Sequence, residues 1–220
     1  MWAIQVALCW QKRCWPHGAS LPPVVLPAVV EAVMQAVAEA PVAAAAVTGS
    51  DILLDDIVPS HLASVMQCFE MSGCKITSSQ NRLRIISQGR LKPMGTVRTM
   101  PYPGFPTDCQ SLIMTMASVA DGTTVICENI FENRFRLAGE LNRMGAAVSV
   151  HDKIAVVNGI RRLQGATVCA HDLRAGAALT VAGLCAEGTT TVENIHFIDR
   201  GYESLEKSLN YIGARIKRID

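Results

Sequence analysis

Asp108 and Asp172 each stand just ahead of an apolar run with helical patterning, SLIMTMASVA after the first and AALTVAGLCA after the second. A carboxylate so placed has two uses. It can cap the helix by accepting from backbone N–H groups that lack partners, or it can be held ready as a general base for a substrate hydroxyl. The two uses compete, because a carboxylate fully engaged by backbone donors is a weak base. The lead-in to the first aspartate, PYPGFPTDCQ at residues 101–110, favours the second use. Pro101, Pro103 and Pro106 fix their own φ and bias the residues before them toward extended backbone. Gly104 permits a sharp bend. A cap needs no such pre-ordering, whereas a positioned base does, and Thr107 can cap the helix and leave Asp108 free.

Three arginines recur at loop–helix junctions: Arg134 in FENRF, Arg174 in DLRAG and Arg200 in IDRGYE. Each can be an ordinary solvated or paired side chain, with Asp172, Asp199 and Glu132 as partners. Each can equally be a fork that grips a carboxylate or phosphate. Lys92 and Arg98 are open to the same two readings. Neither GxxxxGK[ST] nor GxGxxG occurs, so nucleotide binding through those loops is not indicated.

The elements that must position these groups follow a recurring order. Segments opening at Gly49, Gly122 and Gly188 each run from a strand-like stretch through a polar loop to an amphipathic helix, a glycine stop and a further strand. Leu62, Val65, Met66 and Phe69 make one helical stripe. Leu137, Leu141 and Met144 make a second, and Tyr202, Leu205, Leu209 and Ile212 a third. Gly73, Gly145 and Gly213 end the three helices. KITSSQNRLRII and AAVSVHDKIAVVNG read as hairpins. A second kind of helix, apolar nearly all round and therefore buried on every side, precedes each opening glycine. The one in EAVMQAVAEAPVAAAAVT is expected to break or kink at Pro41. The expected fold is α/β, an inside-out barrel of three repeats with core helices surrounded by sheets.

The totals set limits. Half of the 220 residues are apolar and the formal charge is +1, with no long run of one sign. That gives no electrostatic case for nucleic acid or for an anionic membrane surface. The eight cysteines form no CxxC pair and sit mostly in apolar runs, which reads as buried reduced thiols in a cytoplasmic protein. His17, His61, His151, His171 and His196 lack metal-ligand spacing, so no metal site is expected. The opening MWAIQVALCWQKRCWPHG does not have the charge order of a secretory signal. The apolar stretch behind it carries Glu31, Glu39 and several prolines, and does not read as a membrane span.

PYPGFPTDCQ, ENIFENRF, DLRAGAALTVAGL and HFIDRGYESLEKSL, in this order and spacing, resemble the UDP-N-acetylglucosamine 1-carboxyvinyltransferases, members of the enolpyruvyl transferase family. The likeness runs from about Ala40 to the C-terminus. It implies a fold of three βαβαββ units, with residues 41–220 as one such domain, and it leaves residues 1–40 as an atypical segment. It implies transfer of the enolpyruvyl group of phosphoenolpyruvate to the 3′-hydroxyl of UDP-N-acetylglucosamine, by addition and then elimination of phosphate, with no metal or organic cofactor. Asp108 then matches the general base and Arg200 an arginine on the phosphoenolpyruvate side. Asp172 and Arg174 match a pair lining the same cleft, and Ile130 and Phe131 match contacts to the nucleotide-sugar.

The departures from that family are specific. Its other domain, with a reactive-cysteine loop and further cationic groups, has no counterpart here, and the PDR-type motif ahead of the first core helix is missing. DLRAG has Gly176 where the family usually has serine, which is expected to loosen that helix start. A chain of this kind is expected to be inactive alone and to need a separately encoded N-terminal half as partner. The alternative is a non-catalytic remnant or nucleotide-sugar-binding module of the same fold.

Overall fold

The structure is a computed structural model and describes residues 3–7, 25–26 and 34–219. In chain order the elements begin with β1 (Ala3–Ala7), β2 (Val25–Leu26), α1 (Met34–Thr48), β3 (Asp51–Asp55), α2 (Ala63–Met71), β4 (Lys75–Ser79) and β5 (Arg82–Ile86). They continue with β6 (Thr96–Arg98), α3 (Gln110–Ser118), β7 (Thr123–Cys127), α4 (Arg136–Arg143), β8 (Ala147–His151) and β9 (Ile154–Asn158). The last are β10 (Leu163–Gln164), β11 (Thr167–Cys169), α5 (Leu173–Cys185), β12 (Ala186–Glu187), β13 (Thr189–Glu193), α6 (Leu205–Tyr211) and β14 (Ile216–Ile219). Cys9, Cys14 and His17 lie outside the described residues.

The strands form three separate four-stranded sheets, β2-β3-β5-β4, β6-β7-β9-β8 and β11-β13-β1-β14, plus the short parallel pair β10-β12. Each large sheet has one parallel pair at an edge and is antiparallel beyond it. Among the described residues the sheets do not close into one hydrogen-bonded barrel. Both expected hairpins are present, β4–β5 and β8–β9, the second turning through Asp152 at φ 50°. The third sheet takes β1 as its inner strand, between β13 and β14, so a stretch from the first forty residues is built into this body.

Helices α1, α3 and α5 pack on one another in the interior. All of α3 is buried, as is α5 from Ala175 to Leu184 and α1 from Glu39 to Ala46. This is where an all-round apolar helix must go. Alanines at positions 43–46, 177, 178 and 182 let the three axes approach closely. Of the break or kink expected at Pro41, the break does not occur: α1 continues through it to Thr48. A helix-interior proline costs about 3 kcal/mol, and burial against two neighbouring helices offsets that cost.

The amphipathic helices α2, α4 and α6 turn their stripes inward, burying Val65 and Phe69, Leu137 and Leu141, and Leu205 and Leu209. Gly73, Gly145 and Gly213 end them at φ 93°, 86° and 102°, where a Cβ would be strained. Two of these helices are clipped to the strand that follows by a side-chain amide. Asn142 bonds the Val148 backbone in both directions at 2.8 and 2.9 Å, and Asn210 does the same with Ile216. Gly176 does more than loosen a helix start. A Cβ there would lie 2.5 Å from Cγ1 of buried Ile198, so the absent side chain is what lets the loop after β13 pack against α5.

Candidate active site

The chain from Met100 to Cys109 folds back on itself before α3 begins. Met100 N donates to Phe105 O at 2.9 Å, Gly104 N to Pro101 O at 2.8 Å and Cys109 N to Pro106 O at 3.2 Å. A Cβ on Gly104 would fall on that of Met100, so only glycine fits this close approach. The Tyr102–Pro103 bond is cis. The turn leads into one 3-10 turn, residues 107–109, and places the Asp108 side chain at 48% exposure.

Asp108 is not a helix cap. Neither the 3-10 turn nor α3 has a side-chain cap. Its Oδ1 instead faces Arg174 Nε in an ion pair and lies 3.5 Å from Arg134 Nη2. Thr107 does not cap either: its hydroxyl donates to Glu128 Oε2 at 2.8 Å. Asp172, in the equivalent place, does cap. Its Oδ1 accepts from Arg174 N and Ala175 N, each at 2.8 Å. The sequence parallel between the two aspartates therefore hides a division of labour. Asp172 starts α5 and so aims Arg174, and Arg174 in turn meets Asp108. Asp172→Ala should cost about 1 kcal/mol, the usual worth of an N-cap, read as a lowered denaturation midpoint.

Arg134 stacks over the Phe131 ring, with its guanidinium carbon 4.6 Å from the centroid. It pairs with Asp108 and not with its sequence neighbour Glu132. Ile130 and Phe131 are 36% and 49% exposed on the adjoining loop, large apolar groups left facing solvent beside the charge cluster. Asp108, Arg134, Arg174, Asp172 and Phe131 are thus brought together from three loop–helix junctions. Among the described residues Arg200 makes no hydrogen bond or ion pair with this cluster; its neighbour Gly201 is what packs on α5. A Cβ on Gly201 would lie 2.6 Å from Leu173 Cδ2, which sets that loop on the first turn of α5. The Arg200 side chain is exposed and has no ion-pair partner among the described residues. Asp199 is already held by Arg218, at 2.5 and 3.1 Å.

Beneath the surface cluster lie groups not singled out in the sequence. Glu39 of α1 is buried at 5% exposure and touches the Cys109 thiol. Burial is the main cause that pushes its carboxyl up to about 7, with Asp108 adding to the rise and Cys109 and Arg174 opposing it. Burial likewise raises the Cys109 thiol and the Tyr202 hydroxyl, and the charge of Glu39 adds to both. An acid in AVAEAPVAAAA was visible as a charge on an otherwise apolar helix. Glu128 opens the ENIFENRF motif, but nothing local set it apart from an ordinary acid at the end of a strand.

A family model described as EPSP synthase (3-phosphoshikimate 1-carboxyvinyltransferase) matches residues 35–209. A UDP-N-acetylglucosamine 1-carboxyvinyltransferase of Desulfofundulus thermocisternus is 51% identical over 175 residues, covering 80% of this chain and 72% of that protein. One from Carboxydothermus hydrogenoformans is 47% identical over 176 residues, covering 80% of this chain and 42% of that protein. The chain therefore spans about two-fifths of the length of the second relative, and 41% of a third from Koribacter versatilis. Among solved structures, the enolpyruvyl transferase NikO from Streptomyces tendae superposes with a TM-score of 0.76 at 25% identity, over 86% of this chain and 45% of that one. An EPSP synthase from Acinetobacter baumannii gives 0.66 at 20% identity over 84% and 47%, a likeness of fold alone. Together with the turn, the paired arginines and the capped α5, these matches place the chain in the enolpyruvyl transferase family, on the side of the UDP-N-acetylglucosamine 1-carboxyvinyltransferases.

Proposed function

We propose that this chain supplies one wall of an active site that transfers the enolpyruvyl group of phosphoenolpyruvate to the 3′-hydroxyl of UDP-N-acetylglucosamine, a step of peptidoglycan precursor synthesis in the cytoplasm. The observation that carries the reading is the half-exposed Asp108 carboxylate, uncapped and set between Arg174 and Arg134 on a turn that its sequence makes rigid. Asp108 takes the hydroxyl proton as the sugar oxygen bonds C2 of phosphoenolpyruvate, and a general acid of the opposite wall protonates C3. That group, now a base, takes a proton back from C3 as phosphate departs with the C2–O electron pair, leaving the enol ether. An incoming phosphate or carboxylate competes for Arg174, and its release from Asp108 leaves that carboxylate able to accept. Fixed guanidinium groups serve where negative charge collects on the departing phosphate. Arg200, exposed and without an ion-pair partner among the described residues, serves the phosphoenolpyruvate side, Asp172 and Arg174 line the cleft, and Ile130 and Phe131 contact the nucleotide-sugar.

We also read the three sheets and three interior helices as three βαβαββ units arranged inside out. The shared parallel-then-antiparallel order supports this, as do the twin Asn142 and Asn210 clips. A cleft of this kind needs cationic groups on both walls and must exclude water. The 220 residues alone should therefore release negligible phosphate from phosphoenolpyruvate and UDP-N-acetylglucosamine. Adding a polypeptide that holds the part of the Carboxydothermus relative this chain does not match should restore release. Robust turnover by the chain alone would overturn the one-wall reading. Nucleotide-sugar binding that never yields phosphate in the complemented assay would favour a binding module.

A further inference from the structure

Glu128 is the most heavily engaged carboxylate among the described residues, and it makes no hydrogen bond or ion pair to Asp108, Arg134, Arg174 or Arg200. It is 1% exposed and forms no ion pair among the described residues. Oε1 accepts from Thr99 Oγ1 at 2.9 Å, from Ile130 N at 2.8 Å and from Phe131 N at 3.1 Å. Oε2 accepts from Thr107 Oγ1 at 2.8 Å. Thr99 extends the web, since its hydroxyl accepts from Asn129 N at 2.8 Å and its carbonyl from Asn129 Nδ2 at 3.2 Å. Glu128 itself is anchored by its backbone N–H to Lys153 O at 2.8 Å, at the end of β7.

A buried carboxylate without a cation is costly unless its lone pairs are filled. Here they are filled by two segments with separate jobs. One oxygen holds the loop bearing Ile130 and Phe131, which leads to Arg134. The other holds Thr107, the residue before Asp108. A side chain that only supported the fold would not need to join these two. Buried polar networks specify one arrangement when every member is satisfied, and this one sets the distance between Asp108 and the nucleotide-sugar loop.

We infer that Glu128 is the positioning residue of this site, coupling the Ile130–Phe131 loop to the Asp108 turn through the Thr107 hydroxyl. The functional side of this rests on the reading of Asp108 and that loop as substrate contacts; the mechanical coupling does not. Thr107→Val keeps the shape and removes the hydroxyl, while Thr107→Ser keeps it. Hydrogen exchange on the full 220-residue chain without ligand is the first measurement. In Thr107→Val the amides of Ile130 and Phe131, which Thr107 does not touch, should exchange at least ~10-fold faster, as should that of Cys109, with α5 unchanged. Thr107→Ser should match the native chain. Glu128→Gln, with one acceptor oxygen in place of two, should loosen both segments together. If Glu128→Gln does not fold, the threonine pair decides. Loosening confined to the Asp108 turn, or a serine variant as loose as the valine one, would overturn the coupling.

Titration with UDP-N-acetylglucosamine is the second measurement. Thr107→Val should weaken binding ~10-fold and Thr107→Ser hardly at all, whereas a purely structural threonine would change the denaturation midpoint and leave affinity alone. If the native chain binds no UDP-N-acetylglucosamine, the nucleotide-sugar reading fails, and the exchange data still decide the coupling.

Discussion

Asp108→Asn should lower turnover in the complemented assay by roughly 10²–10⁴-fold, the usual worth of a positioned general base, with little change in KM. Asparagine keeps the shape of the side chain and can still accept from Arg174 through its oxygen, but it cannot take the hydroxyl proton. The alternative role for Asp108 is the ion pair seen with Arg174 and Arg134. An ion pair half exposed to water contributes under ~1 kcal/mol, and losing it would move stability or KM slightly and leave kcat nearly intact. The split between kcat and KM therefore separates the two roles, because an interaction present only in the transition state lowers kcat and kcat/KM together. Asp172→Ala is the control. Its carboxylate is spent on backbone donors, so its loss should reach chemistry only through the aim of Arg174 and should cost stability more than rate. A kcat unaffected by Asp108→Asn would reduce Asp108 to a structural partner of two arginines.

Periodicity made the helices legible, and glycines marked their ends. The stripes of Leu62 to Phe69, Leu137 to Met144 and Tyr202 to Ile212 are local properties of the chain, and tertiary packing only had to accept them. The break open at Pro41 does not occur, for the converse reason. Its local effect is strongly unfavourable, but the small side chains of α1 are enclosed by α3 and α5, and tertiary burial decides there. Gly176 was only partly readable, since its close approach to Ile198, more than twenty positions later in the chain, is a tertiary contact to which no local rule points. In the candidate site, the turn ahead of α3 was readable because prolines fix their own backbone, whereas the pairing of Arg174 with Asp108 was not, since its sequence neighbour Asp172 was the expected partner. The contrast between Asp108 and Asp172 was not readable. Both precede helices, and only the three-dimensional position of Arg174 and the diversion of Thr107 to Glu128 decide which aspartate is left uncapped. Asp199 was a candidate partner for a nearby arginine until the strand carrying Arg218 claimed it.

Glu39→Gln should stabilise the chain at neutral and alkaline pH and flatten its stability between about pH 4.5 and 7. The folded chain raises this carboxyl from an ordinary 4.5 to about 7, chiefly by burial. Between those two values the folded state binds a proton that the unfolded state has released. Stability therefore falls as pH rises through this window and levels off above 7. The raised value corresponds to a penalty of about 3 kcal/mol at most, on the conversion of 1.36 kcal/mol per pH unit, and an interior that relaxes around the charge would reduce it. Glutamine is neutral at every pH and can still accept from the Cys109 thiol, so the variant should equal the native chain near pH 4 and exceed it at pH 8. The groups facing Glu39 are Cys109 and Asp108 from the turn before α3, Arg174 from α5 and Tyr202 from the loop before α6. Cys109 and Tyr202 are both raised, which keeps them neutral across the window and makes Glu39 the group whose charge changes there. Denaturant titrations at pH 4, 6 and 8 on both chains provide the test. Parallel curves for the two would mean that Glu39 already carries its charge in the folded state, satisfied by Arg174 across the floor of the site.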